Sequence, residues 1–258
     1  MTNNDLQDNL ENKNYELWQG DCLELMKHIP DKSVDMILCD LPYGTTQCKW
    51  DTIIDLHLLW IEYERIIKQN GCIALFAQTP FDKVLGVSNI KLLRYEWIWE
   101  KTAATGHLNA KKMPMKAHEN ILIFYKKLPT YNPQKTTGHT PVHSYTKYIS
   151  TQNNTEIYGK TNQQISGGGE TDRYPRSVLT FASDKQKNYL HPTQKPVALC
   201  EYMVKTYTNE GDIVLDNCMG SGSTGVAALN LNRKFIGIEL DAKYFEIAKN
   251  RIIKEVGT

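Results

Sequence analysis

Between Ile213 and Glu239 the sequence sets an apolar run, a glycine-rich turn, a second apolar run and an acid in close succession. Ile213-Val214-Leu215-Asp216 has the length and character of a buried parallel strand, and Gly220-Ser221-Gly222-Ser223-Thr224-Gly225 reads as a tight turn. The pattern then predicts a helix from Val226 to Leu231, a strand from Lys234 to Glu239 and a closing helix from Tyr244 to Ile253. A strand, crossover helix and strand in this order require a parallel sheet with helices packed on its faces. The fold class is therefore α/β, a doubly wound Rossmann-like sheet. Such a unit also suits a nucleoside, because Glu239, 23 residues beyond Asp216, is placed to accept hydrogen bonds from two ribose hydroxyls. Ser221, Ser223 and Thr224 add hydroxyls near a helix N-terminus, an environment for a carboxylate or a pyrophosphate. No lysine follows the turn in Gly-Lys-Ser/Thr order, which argues against a phosphate-cradling NTPase loop.

A dinucleotide-binding domain opens with such a unit, whereas here it closes the chain. The earlier half supplies the rest of a sheet. Tyr15 to Trp18 reads as a strand ending at Gly20-Asp21, with Leu23, Leu25, Met26 and Ile29 following at helical spacing. Val34 to Cys39 is a second strand, and Asp40-Leu41-Pro42-Tyr43-Gly44 leaves its carboxyl end, where open α/β sheets bind ligands. Asp40 accepts a hydrogen bond from an amine, Pro42 stiffens the turn and leaves its carbonyl as a second acceptor, and Tyr43 offers a stacking face. Together they describe a pocket for a planar ring with an exocyclic amine; alone, the stretch is equally a strand-ending turn. A helix through Ile53, Leu59, Trp60 and Ile67 closed by Asn70-Gly71, a strand from Cys72 to Ala77, a helix opened by Pro80, and strands at 95–100 and 119–125 complete a βαβαβαββ series. Trp97 and Trp99 are expected in the core. In a doubly wound sheet the strands 213–216 and 34–39 lie side by side, bringing Asp216 and Gly220 next to Asp40.

The net charge of +1 conceals a segregation. Residues 101–195 carry 14 basic against 5 acidic side chains, with seven of the 14 tyrosines and five of the seven histidines. Basic charge interleaved with aromatics is the footprint of a surface that contacts phosphates and stacks on bases. From Lys126 to Asp172 periodicity disappears, and a loop of that length inside a domain is usually functional. Residues 1–14, polar and acidic, read as a flexible leader without the features of a targeting peptide. No apolar run approaches the roughly 18 residues of a membrane helix. Six cysteines without a C-x-x-C pair suggest reduced thiols in a cytoplasmic protein, with no zinc site or other metal centre.

With these pieces assembled, the sequence resembles the β class of S-adenosylmethionine-dependent DNA amino-methyltransferases. There the catalytic motif precedes the target-recognition region and the cofactor motifs come last, a circularly permuted order. The resemblance rests on Gly20-Asp21, Asp40-Leu41-Pro42-Tyr43-Gly44, His191-Pro192-Thr193-Gln194-Lys195-Pro196, Asp216-Asn217-Cys218-Met219-Gly220-Ser221-Gly222-Ser223-Thr224 and Gly237-Ile238-Glu239. It implies that Asp40, Pro42 and Tyr43 form the catalytic site. It also implies that Asp21 and the backbone at Cys22 meet the cofactor's adenine and Glu239 its ribose. Asp216, Gly220, Ser221, Gly222, Ser223 and Thr224 would surround the methionine portion, with His191, Thr193 and Lys195 holding its carboxylate. Leu41 departs from the proline that the family more often has there. The implied organisation is a catalytic half at 15–126, a target-recognition insertion at 127–176 and a cofactor half at 177–258.

The activity so implied is methylation of the N6 amine of an adenine flipped out of double-stranded DNA. The resemblance leaves open a homodimer and an accompanying restriction endonuclease. Methylation of the cytosine N4 amine is the nearest alternative, disfavoured because relatives using cytosine more often begin the motif with Ser. A nicotinamide-dependent dehydrogenase would explain Glu239 but not Asp40 to Tyr43, and a DNA-binding protein with a vestigial cofactor fold would need none of the chemistry present.

Overall fold

The computed structural model describes residues 14–44, 53–141, 145–148, 164–183 and 194–256. The chain divides into two compact units, one of residues 1–132 with 177–258 and the other Pro133–Arg176. In the first, β1 (Tyr15–Gln19) leads through a short α1 (Cys22–Leu25) and a 3-10 turn (Met26–His28) to β2 (Val34–Asp40). Then follow α2 (Leu56–Ile66), β3 (Ile67–Ala77), α3 (Phe81–Ser88), β4 (Leu93–Thr105) and β5 (Lys116–Phe124). The second unit holds a two-stranded antiparallel ribbon, β6 (Tyr145–Tyr148) with β7 (Gln164–Gly167). The first unit resumes with β8 (Val178–Phe181), α4 (Val197–Tyr207), β9 (Ile213–Asp216), α5 (Ser223–Asn230), β10 (Lys234–Glu239) and α6 (Ala242–Val256).

Eight strands form one mixed sheet in the order β1-β10-β9-β2-β3-β5-β4-β8. The first five are mutually parallel, β5 runs antiparallel to both neighbours, and β8 lies parallel to β4 at the edge. Alternate side chains of the central strands enter opposite cores, so the strands read as continuous apolar runs rather than alternating ones. Ile37 and Cys39 pack with Leu59, Tyr63 and Ile66 on one face, while Met36 and Leu38 pack with Met203, Val204 and Ile252 on the other. Trp97 and Trp99 are buried in the second core, as their alternation in the sequence suggests.

Strands β2 and β9 are neighbours, with Met36 opposite Val214 and Ile37 opposite Leu215. Asp40 and Asp216 therefore end adjacent strands at the point where the chain reverses its direction of travel across the sheet, as the motif order predicts.

Two boundaries differ from the sequence reading. Asn70-Gly71 does not close a helix: α2 ends at Ile66, and β3 runs from Ile67 through Gly71 to Ala77. The pairing with β2 shifts register between Val34 and Met36, and a Cβ at residue 71 would stand 2.8 Å from the Asp35 carbonyl oxygen. The glycine serves this close approach of two strands instead of a helix end. The helix after the glycine turn begins at Ser223, three residues before the predicted Val226.

The first unit is pinned where the chain departs from it and where it returns. Asn132 donates its N–H to Thr206 O at 2.8 Å and its side-chain amide to Thr208 O at 3.1 Å. On return, Ser177 O accepts from Ile98 N at 2.8 Å and β8 pairs with β4.

Candidate active site and cofactor cleft

A cavity of about 810 Å³ opens at the carboxyl ends of β1, β10, β9, β2 and β3. Asp21, Cys22, Asp40, Pro42, Tyr43 and Lys195 all line it. So do Asp216, Gly220, Ser221, Ser223, Thr224 and Glu239. His191 and Thr193 lie outside the described residues. Gly222 is the one described residue of the predicted set that does not line the cavity. It is the N-cap of α5, and a Cβ there would meet Ala248 of α6 at 3.2 Å.

At the β1–β10 end of the cavity, Gln19 is in register with Glu239, and Gly20 N–H donates to Glu239 O at 2.9 Å. Asp21 caps α1 by accepting from Leu23 N–H at 2.8 Å. The Glu239 carboxylate is 9% exposed and accepts from Gly220 N–H at 2.8 Å and Asp241 N–H at 2.9 Å. Burial raises its pKa, and these backbone donors oppose the rise.

The glycine turn is held from three directions. Tyr63 of α2 donates its hydroxyl to Asn217 Oδ1 at 2.6 Å. Arg251 of α6 donates to Ser221 O at 3.1 Å and Ser223 Oγ at 3.2 Å. Asp216 accepts from Cys218 N–H at 3.1 Å and is only 3% exposed. Burial pushes its carboxyl from the ordinary 3.8 up to about 7, against hydrogen bonds from Thr224 and Cys218.

At the catalytic end, Asp40 Oδ1 accepts from the Tyr43 hydroxyl at 2.6 Å and Oδ2 from the Lys195 ammonium. The Tyr43 ring stacks on Phe81, with centroids 5.2 Å apart and planes at 28°. Burial lifts the Asp40 carboxyl above its usual range, and the Lys195 charge limits the rise. Sequence reasoning expected Lys195 beside a ligand carboxylate, whereas here its ammonium sits on Asp40 and, at 3.3 Å, on Glu119 Oε2.

Glu119 and Lys101 escaped the sequence reading altogether. Lys101 Nζ lies 2.6 Å from Glu119 Oε1, and both side chains are about nine-tenths buried (8% and 10% exposed). Burial would raise the Glu119 pKa, but the ammonium groups of Lys195 and Lys101 outweigh it and hold it low. Asp40, Lys195, Glu119 and Lys101 thus form a neutral row of alternating charges.

Two buried acceptors, Glu119 Oε2 and Gln194 Oε1, have no hydrogen-bond partner among the described residues, and both residues line the cavity. Buried polar atoms are normally paired, so Gln194 Oε1 marks a place where a ligand's donor fits, while Glu119 Oε2 already faces the Lys195 ammonium at 3.3 Å. No cluster of His, Cys, Asp and Glu able to hold a metal occurs among the described residues. None of their helices is long and apolar enough to cross a membrane.

Residues 34–250 match the family model described as DNA methylase. The chain is 31% identical over 250 residues to the DNA adenine methyltransferase YhdJ of Escherichia coli, covering 90% of this chain and 81% of that protein. It is 29% identical over 251 residues to the type II methyltransferase M.HpaI of Haemophilus parainfluenzae, covering 92% and 73%. Among solved structures, the complex of M1.HpyAVI with SAM superposes with a TM-score of 0.63 at 25% identity, over 92% of this chain and 98% of that one. The cytosine-N4-specific PvuII DNA methyltransferase gives a TM-score of 0.63 at 14% identity, over 95% and 92%, a likeness of fold alone.

Proposed function

The chain belongs to the N6/N4 DNA methylase family, and we propose that it methylates the N6 amine of an adenine flipped out of double-stranded DNA. Membership makes it an S-adenosylmethionine-dependent DNA methyltransferase; the choice of adenine and the residue roles are the finer reading. The observation that carries them is the convergence of Asp40, Pro42 and Tyr43 with Asp216, Gly220 and Glu239 around one cavity.

S-adenosylmethionine supplies an electrophilic methyl group on a sulfonium. The residues present fit its parts. Glu239 takes the ribose hydroxyls, Asp21 and the Cys22 backbone the adenine, and Asp216 with Gly220, Ser221, Ser223 and Thr224 the methionine end. Gln194 Oε1, buried without a donor among the described residues, suits an ammonium. His191 and Thr193 are assigned to the carboxylate by motif. Asp40 and the Pro42 carbonyl accept the two hydrogens of the target amine and turn its lone pair toward the methyl. Tyr43 provides the stacking face, backed by Phe81. Catalysis on this reading is positioning and electrostatics.

Adenine is favoured by Asp, not Ser, at the head of the motif and by the similarity to an adenine methyltransferase. Residues 127–176, which include the compact unit 133–176 and lie in the basic part of the sequence, are assigned to target recognition. The test is to incubate protein, unmethylated DNA and S-adenosylmethionine, digest to nucleosides and identify the product by mass spectrometry. N6-methyladenine is expected; N4-methylcytosine would overturn the choice of base.

A further inference from the structure

We infer that Glu119 is a positioning residue for methyl transfer, offering the Lys195 ammonium a second seat so that Lys195 can leave Asp40 when the target amine arrives. The inference rests on the reading of Asp40 as the acceptor of that amine.

Both Asp40 oxygens are engaged, Oδ1 by the Tyr43 hydroxyl at 2.6 Å and Oδ2 by Lys195. A neutral aromatic amine is a weaker donor than an ammonium and cannot displace it unaided. Nor can a buried ammonium leave its carboxylate for nothing, since an unpaired buried charge is strongly disfavoured. Glu119 removes that obstacle. Its Oε2 lies 3.3 Å from Lys195 Nζ, is buried and has no other donor among the described residues, while Lys101 holds Oε1 at 2.6 Å and keeps the carboxylate ionised and in place. Lys195 needs only to close the gap to Oε2. The row of four charges stays neutral and paired throughout, and Asp40 gains a free oxygen.

The titratable groups that face Asp40 are Lys195, Glu119, Tyr43, Cys39, Cys200 and Asp216. Burial keeps the Tyr43 phenol and both thiols protonated through the working range, the thiols near about 12. Asp216, near about 7, is left unaltered in every variant below.

The experiment is single-turnover methyl transfer from pH 5 to 9, with S-adenosylmethionine affinity measured separately, for wild type, Glu119→Gln, Lys101→Met and Asp40→Asn. In Glu119→Gln, Lys195 stays on Asp40. Cofactor affinity is then unchanged, the plateau rate falls about tenfold or more, and the acid limb moves to lower pH because a negative neighbour of Asp40 has gone. In Lys101→Met, Glu119 draws Lys195 more strongly and the acid limb moves to higher pH. Opposite displacements are not produced by loss of packing. A wild-type rate and limb in Glu119→Gln overturn the inference. If that variant fails to bind cofactor, Lys101→Met decides, and a limb unmoved or moved downward overturns it. Full activity in Asp40→Asn would instead sink the underlying reading of Asp40.

Discussion

The hydroxyl of Tyr63, in the helix between β2 and β3, reaches Asn217 Oδ1 in the cofactor turn at 2.6 Å across 154 residues of sequence. Tyr63 is fully buried and Asn217 is 2% exposed, so neither group has water to fall back on. Tyr63→Phe strands the Asn217 oxygen, which should cost about 1–3 kcal/mol of stability. Urea unfolding measures it. Saturating S-adenosylmethionine should restore part of the loss by holding the turn from the other side.

Glu239 holds the turn through Gly220 N–H and is proposed to take the cofactor's ribose hydroxyls. Glu239→Ala should weaken S-adenosylmethionine binding about tenfold or more, which corresponds to about 1.4 kcal/mol. Calorimetric titration tests this, and an unchanged affinity would remove Glu239 from the cofactor site.

Asp40→Ala separates binding from chemistry. Turnover should disappear from the nucleoside assay while cofactor affinity stays within about threefold of wild type, since Asp40 is proposed to meet the amine and not the cofactor's nucleoside. Loss of both together would contradict its assignment.

Asp216 gives the protein a pH signature. Its folded pKa of about 7 lies above the ordinary 3.8, so the folded state prefers the protonated form. The stabilisation is complete below about pH 4 and is lost as pH rises toward 7, with each tenfold fall in proton activity across that interval removing about 1.4 kcal/mol. Thermal melts without cofactor should therefore show Asp216→Asn gaining on wild type between pH 5 and pH 8. A constant difference across that range would refute the buried-acid account.

The sheet and the meeting of Asp40 with Asp216 were legible because both follow from local pattern plus one topological rule. Apolar runs gave the strands, and motif order placed β2 beside β9 at the switch point. Glu119 and Lys101 were not legible, because nothing local distinguishes a strand charge in solvent from one locked in a buried row. Their meeting comes from β5 standing beside β3 and β4 beside β5, an antiparallel arrangement that the motifs do not encode. Lys195 was recognised as a site residue, but its partner lies 155 residues away in the sequence, and only the folded sheet brings the two together. Asn70-Gly71 misled for a related reason: a glycine wanted for strand approach looks the same in sequence as one wanted for a helix end.

The anchoring at Asn132 and at Ser177 bears on how such a protein diversifies. Chain departure and return are each fixed by contacts within the first unit, so the stretch between them can vary in length and composition without disturbing the register of a single central strand. The segment 133–176 thus leaves from and returns to two points that the first unit secures with its own backbone contacts.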